Sequence, residues 1–211
     1  MKILSWNCRG LSRPTVVRSL RALIRDHASD VLFLSETKIS PSQVSVTLNR
    51  LGFFLISQVA SCGFSGGLAL TQRPSIDLEC FIFTKNTIFA WCYSDPPHSP
   101  WILSCVCGPP DRIYRQAFWD SFTSVGDNFD PFWLCIGDVN AVLTQDDKTG
   151  ARLVAHSANF GFKNFIKHFG MVDLGFVGNP FTFGAIIDMV LIPSKKDLID
   201  AWPPQIGFTS I

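Results

Sequence analysis

Lys2-Ile3-Leu4-Ser5-Trp6-Asn7-Cys8-Arg9-Gly10-Leu11 and Val31-Leu32-Phe33-Leu34-Ser35-Glu36-Thr37-Lys38 share one build. Each is a short apolar run that stops at a polar side chain, Asn7 in the first and Glu36 in the second. Both read as buried strands. Between them Pro14 stands where a helix can start, and Val16, Val17, Leu20, Leu23 and Ile24 recur at helical spacing up to about His27. The opening is therefore strand, helix, strand, which points to an α/β class.

The pattern continues outward. Ser40-Pro41 suits an N-cap followed by proline at the first helical position, with a helix to about Leu51. Strands are predicted at Phe53–Gln58, Leu68–Thr71, Ile76–Phe83, Ile88–Tyr93 and Trp101–Cys107, with Gly66-Gly67, Arg73-Pro74 and Pro96-Pro97 in the connectors. Tyr114–Ser124 reads as a helix and Phe132–Ile136 as a buried strand running into Gly137-Asp138. Phe162, Phe165, Ile166 and Phe169 form a helical stripe that Gly170 ends. Strands are expected at Phe181–Phe183 and Ile186–Ile192, and Ser194 with Asp197 resembles a capping box for a last short helix. Polar side chains thus recur at the ends of apolar strands: Asn7, Glu36, Asp138, Asn140 and Asp188. Rigid strand ends are good places for a site, because the scaffold fixes the side chains.

The 211 residues suit one domain, 1–211. With 47% hydrophobic and 17% charged residues the chain can bury a large core, which argues against disorder. Lys2, Ser5 and Asn7 break the apolar start, so no signal peptide is expected. No run reaches the ~18 apolar residues of a membrane span. Seven cysteines, an odd count without zinc-finger spacing, read as reduced buried thiols. A nuclear or cytoplasmic monomer, not secreted and without a membrane partner, is the expectation. Charge is uneven: residues 1–50 carry eight Lys/Arg against three Asp/Glu, although the net charge is only +1. Four of those arginines (Arg13, Arg18, Arg21, Arg25) fall on the first helix. Either they face phosphate or they are a solvated helix face.

Ordered short motifs carry a more specific signal. Ser5-Trp6-Asn7-Cys8-Arg9-Gly10-Leu11, Leu34-Ser35-Glu36-Thr37-Lys38, Ser65-Gly66-Gly67-Leu68-Ala69 and Gly108-Pro109-Pro110-Asp111-Arg112 are followed by Ile136-Gly137-Asp138-Val139-Asn140. Val172-Asp173-Leu174-Gly175-Phe176 with Phe181-Thr182-Phe183, and Ile187-Asp188-Met189-Val190-Leu191, complete the set. In order and spacing, over roughly residues 1–192, these resemble the endonuclease domain of plant LINE (non-LTR) retrotransposons. That family belongs to the exonuclease III-like endonuclease/exonuclease/phosphatase superfamily.

The resemblance implies an α/β fold of two stacked mixed β-sheets flanked by helices, a four-layer sandwich. It implies a Mg2+-dependent DNA endonuclease, with Mn2+ as the alternative ion. Glu36 matches the metal ligand with Asn7 beside it. Asp138 matches the group that activates or orients the attacking water. Asn140 matches the amide that holds water or phosphate, and Asp188 the carboxylate that orients a catalytic histidine. DNA contact, weak and electrostatic, is expected at Arg9, Arg13 and Arg112.

The departures point to impairment. The family's closing Ser-Asp-His strand does not occur in these 211 residues, so the domain is expected to be C-terminally truncated. Cys107 stands where the family has tyrosine, and the basic stretch before its last Asp strand is reduced to Gly184-Ala185. None of His27, His98, His156 and His168 lies in a matching motif. Whether the chain is an enzyme is therefore left open. The alternatives are a non-catalytic folded remnant, or a phosphatase or deadenylase relative of the same superfamily.

Overall fold

The computed structural model describes residues 1–61, 66–94, 97–129, 133–140, 160–173, 188–193 and 207–210. Lys2–Asn7 (β1) and Val31–Ser35 (β2) pair in parallel, joined over the helix Pro14–His27 (α1). Proline begins α1, where its missing N–H costs nothing. Ala28 ends the helix in the left-handed region, with Arg25 and His27 in the last turn against the negative end of the helix dipole. The second helix, Pro41–Asn49 (α2), is opened by a capping box between Ser40 and Gln43.

Phe54–Val59 (β3) and Leu68–Gln72 (β4) complete one sheet antiparallel to β2. Gly207–Ser210 (β11) lies parallel to β1 on its other side, giving the order β11-β1-β2-β4-β3. The second sheet holds Leu78–Phe83 (β5), Thr87–Ser94 (β6), Pro97–Cys107 (β7), Trp133–Asp138 (β8), Met171–Asp173 (β9) and Asp188–Pro193 (β10). Its order is β5-β6-β7-β8-β10-β9, with only the β7–β8 pair parallel. Both sheets are mixed.

Strict alternation along the strands builds four layers. In β2, Val31 and Phe33 face the second sheet while Leu32 and Leu34 face α1 and α2, where they meet Leu20, Ile24, Val44 and Leu48. In β8, Leu134 and Ile136 face the first sheet. Trp133 and Cys135 face Arg115–Gly126 (α3) and Phe160–Phe169 (α4), against Trp119, Phe122 and Phe165. The fully buried β2 and β8 need this double-sided apolar pattern. Each buried Leu, Ile or Phe side chain contributes roughly 1.5–3 kcal/mol of transfer free energy. Two buried polar side chains pair between β7 and β8: Trp133 Nε1 donates to Ser104 Oγ at 2.7 Å, which donates to the Leu134 carbonyl at 3.3 Å, whereas Trp119 Nε1 is buried without a partner among the described residues.

Several boundaries differ from expectation. Strand β7 starts at Pro97 rather than Trp101; here it pairs only with β6, and an outer segment tolerates prolines. A 3-10 turn at Arg112–Tyr114 precedes α3, which starts one residue later than expected. Strands β9 and β11 were not foreseen. The segments 174–187 and 194–206, with Phe181–Phe183, Gly184-Ala185 and the expected last helix, lie outside the described residues. No helix among the described residues is long and apolar enough to cross a membrane.

Candidate active site

Sheet register brings the polar strand ends together. Asn7 closes β1 opposite Ser35, and Glu36 follows Ser35 directly. Asp138 closes β8, level with Cys107 of β7 on one side and Asp188 of β10 on the other. Asn7 spans the two sheets: its Nδ2 lies 3.3 Å from Glu36 Oε1 and 3.3 Å from Asp138 Oδ2. Its Oδ1 accepts from the Arg9 backbone N–H at 3.3 Å. Asn7 therefore meets both carboxylates as a donor. The resemblance places Asn7 beside Glu36 at the metal; here its oxygen meets the Arg9 backbone.

The loops that carry these groups are held in backbone conformations side chains seldom adopt. Arg9, Glu36, Lys38 and Asn140 have φ of 47°, 54°, 54° and 48°. Each such residue costs on the order of 1–3 kcal/mol, and persists only where its surroundings hold it. For the loop after β2 the Gly66-Gly67 corner supplies that hold: its carbonyls accept from Thr37 N at 3.2 Å and Lys38 N at 3.3 Å. Gly67 sits at φ +94°, and a Cβ there would collide with Thr37 Oγ1. Thr37 in turn accepts from Leu11 N at 2.8 Å, and Ser35 from Cys8 N at 3.0 Å, so the loops after β1 and β2 form one unit. Burial pushes the Cys8 thiol up to about 12, so it stays protonated and donates to the Ser35 carbonyl.

Asp138 is tied just as closely. Its Oδ1 accepts from Asn140 N at 3.0 Å, and its backbone carbonyl from Gly108 N at 2.7 Å. Asn140 Nδ2 donates to the Gly108 carbonyl at 2.7 Å. Asp138, only 2% exposed, is raised from its ordinary value to about 6. Burial is the main cause and the Glu36 charge adds to it, against the Asn140, Asn7 and Arg9 contributions that lower it. Glu36 goes the other way. Burial pushes it up, but the Lys38 ammonium, 2.9 Å from Oε2, and the Asn7 amide outweigh that and hold it low. Two neighbouring carboxylates with titrations pushed apart suit different roles.

Of the proposed nucleic-acid contacts, Arg9 sits where its charge is felt by both carboxylates. Arg13 and Arg112 are exposed, the first at the N-cap of α1 and the second on the 3-10 turn beyond Pro110. Sequence reasoning missed Arg115. Its Nε and Nη2 donate to the Pro109 and Pro110 carbonyls at 3.1 and 2.9 Å, clamping the loop whose Gly108 holds Asn140. Burial, then Arg112, lowers its pKa, and the Asp138 charge opposes them. The only sequence signal was two prolines, whose carbonyls stand in a run without N–H donors. His168 Nε2 is engaged 2.6 Å from Asp127 Oδ1, and His98 lies nine residues from the site end of β7. His27 ends α1, and His156 lies outside the described residues.

The donor set suits a hard cation. Asp138 and Glu36 are oxygen donors, both within reach of one Asn7 nitrogen, and the buried Asp138 charge lacks full compensation. Mg2+ is commonly held by one or two carboxylates plus water. Among the described residues no group of three or more His, Cys, Asp and Glu gathers in a way that could hold a metal.

The model of the Endonuclease/Exonuclease/phosphatase family matches residues 4–193. No curated protein sequence matches the chain. Among solved structures, an AP endonuclease from Archaeoglobus fulgidus superposes with a TM-score of 0.67 at 13% identity, over 90% of this chain and 86% of that one. The endonuclease domain of TRAS1, a telomere-specific non-LTR retrotransposon, superposes at 0.65 and 13% identity, over 94% and 86%. The 3′ phosphatase NExo from Neisseria, bound to a product DNA hairpin, superposes at 0.62 and 15%, over 97% and 95%. At such identities the likeness shows the fold alone.

Proposed function

The chain belongs to the endonuclease/exonuclease/phosphatase family, and from that premise we propose that it is a LINE-type retrotransposon endonuclease domain, plant-like in its motifs, with impaired activity as residues 1–211. The family is generally dependent on divalent metal. The observation that carries the reading is the Asn7 amide shared between Glu36 and Asp138 at the meeting ends of three strands. The Trp6-Asn7-Cys8-Arg9-Gly10 opening and Gly108-Pro109-Pro110 favour the retrotransposon branch over the phosphatase and deadenylase relatives.

In this reading Glu36 and Asp138 hold Mg2+ or Mn2+, which when bound neutralises phosphate oxygens and stabilises the leaving oxygen. Without a bound cation Asp138 is ionised for the most part near neutral pH, and so is ready to take up the cation or orient a water. Asp138 orients the attacking water; the water adds to phosphorus and loses its proton to solvent, and the bond to the leaving oxygen breaks, that oxygen taking a proton from solvent. Asn140, fixed on Gly108, keeps the carboxylate oriented through its backbone N–H. Arg9, Arg13 and Arg112 attract the DNA backbone. The leaving oxygen needs a proton, and none of His27, His98 or His168 is positioned to give it. A positioned general acid is typically worth ~10²–10⁴-fold in rate. Cys107 adds to the deficit, because a thiol is a weak, short donor.

A plasmid-nicking assay with Mg2+ or Mn2+ tests this. Trace nicking is expected from the 211-residue chain, abolished by Asp138→Ala. It should rise when Cys107→Tyr is combined with a family-like C-terminal extension carrying Ser-Asp-His. Robust nicking by the unmodified chain would overturn the impairment, and nicking indifferent to Asp138→Ala would overturn the site. Silence in every variant would favour the non-catalytic remnant.

A further inference from the structure

A groove of about 570 Å³ runs between α1 and α2 on the outer face of the first sheet. Its apolar lining includes Val17 of α1, Val46 of α2, Ile39 and Leu51, and Val46 is 50% exposed. Three arginines line it as well: Arg18 and Arg21 from α1, and Arg50 at the end of α2. All three are exposed, and none makes a side-chain hydrogen bond or ion pair among the described residues. No acidic residue lines the groove. The wall is therefore apolar and cationic together, which neither a solvated helix face nor a phosphate track requires.

We propose that this groove docks an acidic amphipathic helix of a partner protein. An apolar floor between two helices matches the groove-binding mode in which a third helix lays down residues at i, i+3, i+4 and i+7. Arginines without partners select glutamate and aspartate on the flanks of that helix, by charge complementarity. Nucleic acid fits less well. No aromatic side chain lines the groove to stack a base, and a sugar–phosphate backbone would leave the apolar floor uncovered. A second copy docked symmetrically through the same face would set arginine against arginine. One end of the groove, at Leu11 and Ser12, adjoins the loop that carries Arg9, so a docked helix would lie beside the candidate active site without covering its carboxylates.

The probe is a synthetic acidic peptide of about four turns with leucines on one face and glutamates elsewhere. Its control is a peptide of the same composition with the leucines scattered. Fluorescence anisotropy on the full chain should show binding of the first and at least tenfold weaker binding of the second. Val46→Glu places a charge on the floor at a half-exposed helical position that folding tolerates, and should weaken binding about tenfold. Arg18→Ala with Arg21→Ala should weaken it about fivefold. Equal binding of both peptides, or no binding of either, overturns the proposal. So does loss of binding on Arg9→Ala with Arg13→Ala while Val46→Glu has no effect, since the peptide would then sit at the site rim. Displacement of the peptide by a short DNA duplex with Val46→Glu weakening both ligands alike would reassign the groove to nucleic acid and overturn it too.

Discussion

Asp138 and Asp188 stand directly opposite each other across the antiparallel pair of β8 and β10. Acidic residues at opposed positions destabilise a strand pair unless something positive lies near. Asp138 also shares the Asn7 amide with Glu36, so two carboxylates meet at that end of β8.

Asp138→Asn should stabilise the metal-free chain while removing activity. The folded-state pKa of Asp138 is about 6, above its ordinary 3.8. Its contribution to stability is thus fully present below the unfolded value and is lost as pH rises through about 6. At pH 8 in chelator the asparagine variant should be more stable by about 1–2 kcal/mol, after allowing for the Asn7 bond it weakens. Near pH 4 the gain should vanish. Thermal melts at the two pH values decide it, and a gain that persists at low pH would contradict the burial account.

Lys38→Ala should tighten Mg2+ binding a few-fold. The Lys38 ammonium occupies Glu36 Oε2 at 2.9 Å, so a cation at Glu36 has to displace or tolerate it. Calorimetric titration should give the order Lys38→Ala, parent, Glu36→Gln from tightest to weakest. Equal affinities for the parent and Glu36→Gln would remove Glu36 from the cation site.

Arg115→Gln should cost about 1–3 kcal/mol, since two charge-assisted bonds to Pro109 and Pro110 disappear. Its distinguishing mark is at Asn140. The side-chain amide signals of Asn140 in a nitrogen-15 spectrum should shift toward free values as Gly108 loosens. An unmoved Asn140 pair would confine Arg115 to stability alone.

Nucleic-acid binding, centred on Arg9, Arg13 and Arg112, should be weak and should weaken steeply with salt. Each phosphate contact adds about 0.9 to the slope of log affinity against log salt on duplex DNA. Arg13→Ala should lower that slope by about one, while Lys195→Ala with Lys196→Ala should leave it alone. A salt-independent affinity would contradict the electrostatic picture.

Much of this was readable before any coordinates. Apolar runs that stop at Asn7, Glu36 and Asp138 announced strands with polar ends, and Ser40-Pro41 announced its helix start. The left-handed backbone of Arg9, Glu36, Lys38 and Asn140 was not readable, since the bonds that fix Lys38 and Asn140 run to Gly66 and Gly108, far off in sequence. Arg115 falls inside the Tyr114–Ser124 helix with nothing local to single it out; only the folded loop reveals its carbonyl partners. Strands β9 and β11 are three and four residues long, too short for a period to register. The amide orientation of Asn7 depends on a carboxylate 131 residues away.

That same amide has a mechanical consequence. Asn7 belongs to one sheet and Asp138 to the other, so their contact crosses the seam between the layers. A cation clasped by Glu36 and Asp138 would rivet the layers together at a point that exists only with both sheets in place, and the expectation is that it forms late in folding. Interactions absent from the folding transition state slow unfolding and leave folding speed nearly unchanged. Saturating Mg2+ should therefore lengthen the lifetime of the native chain in denaturant jumps without altering how fast it refolds.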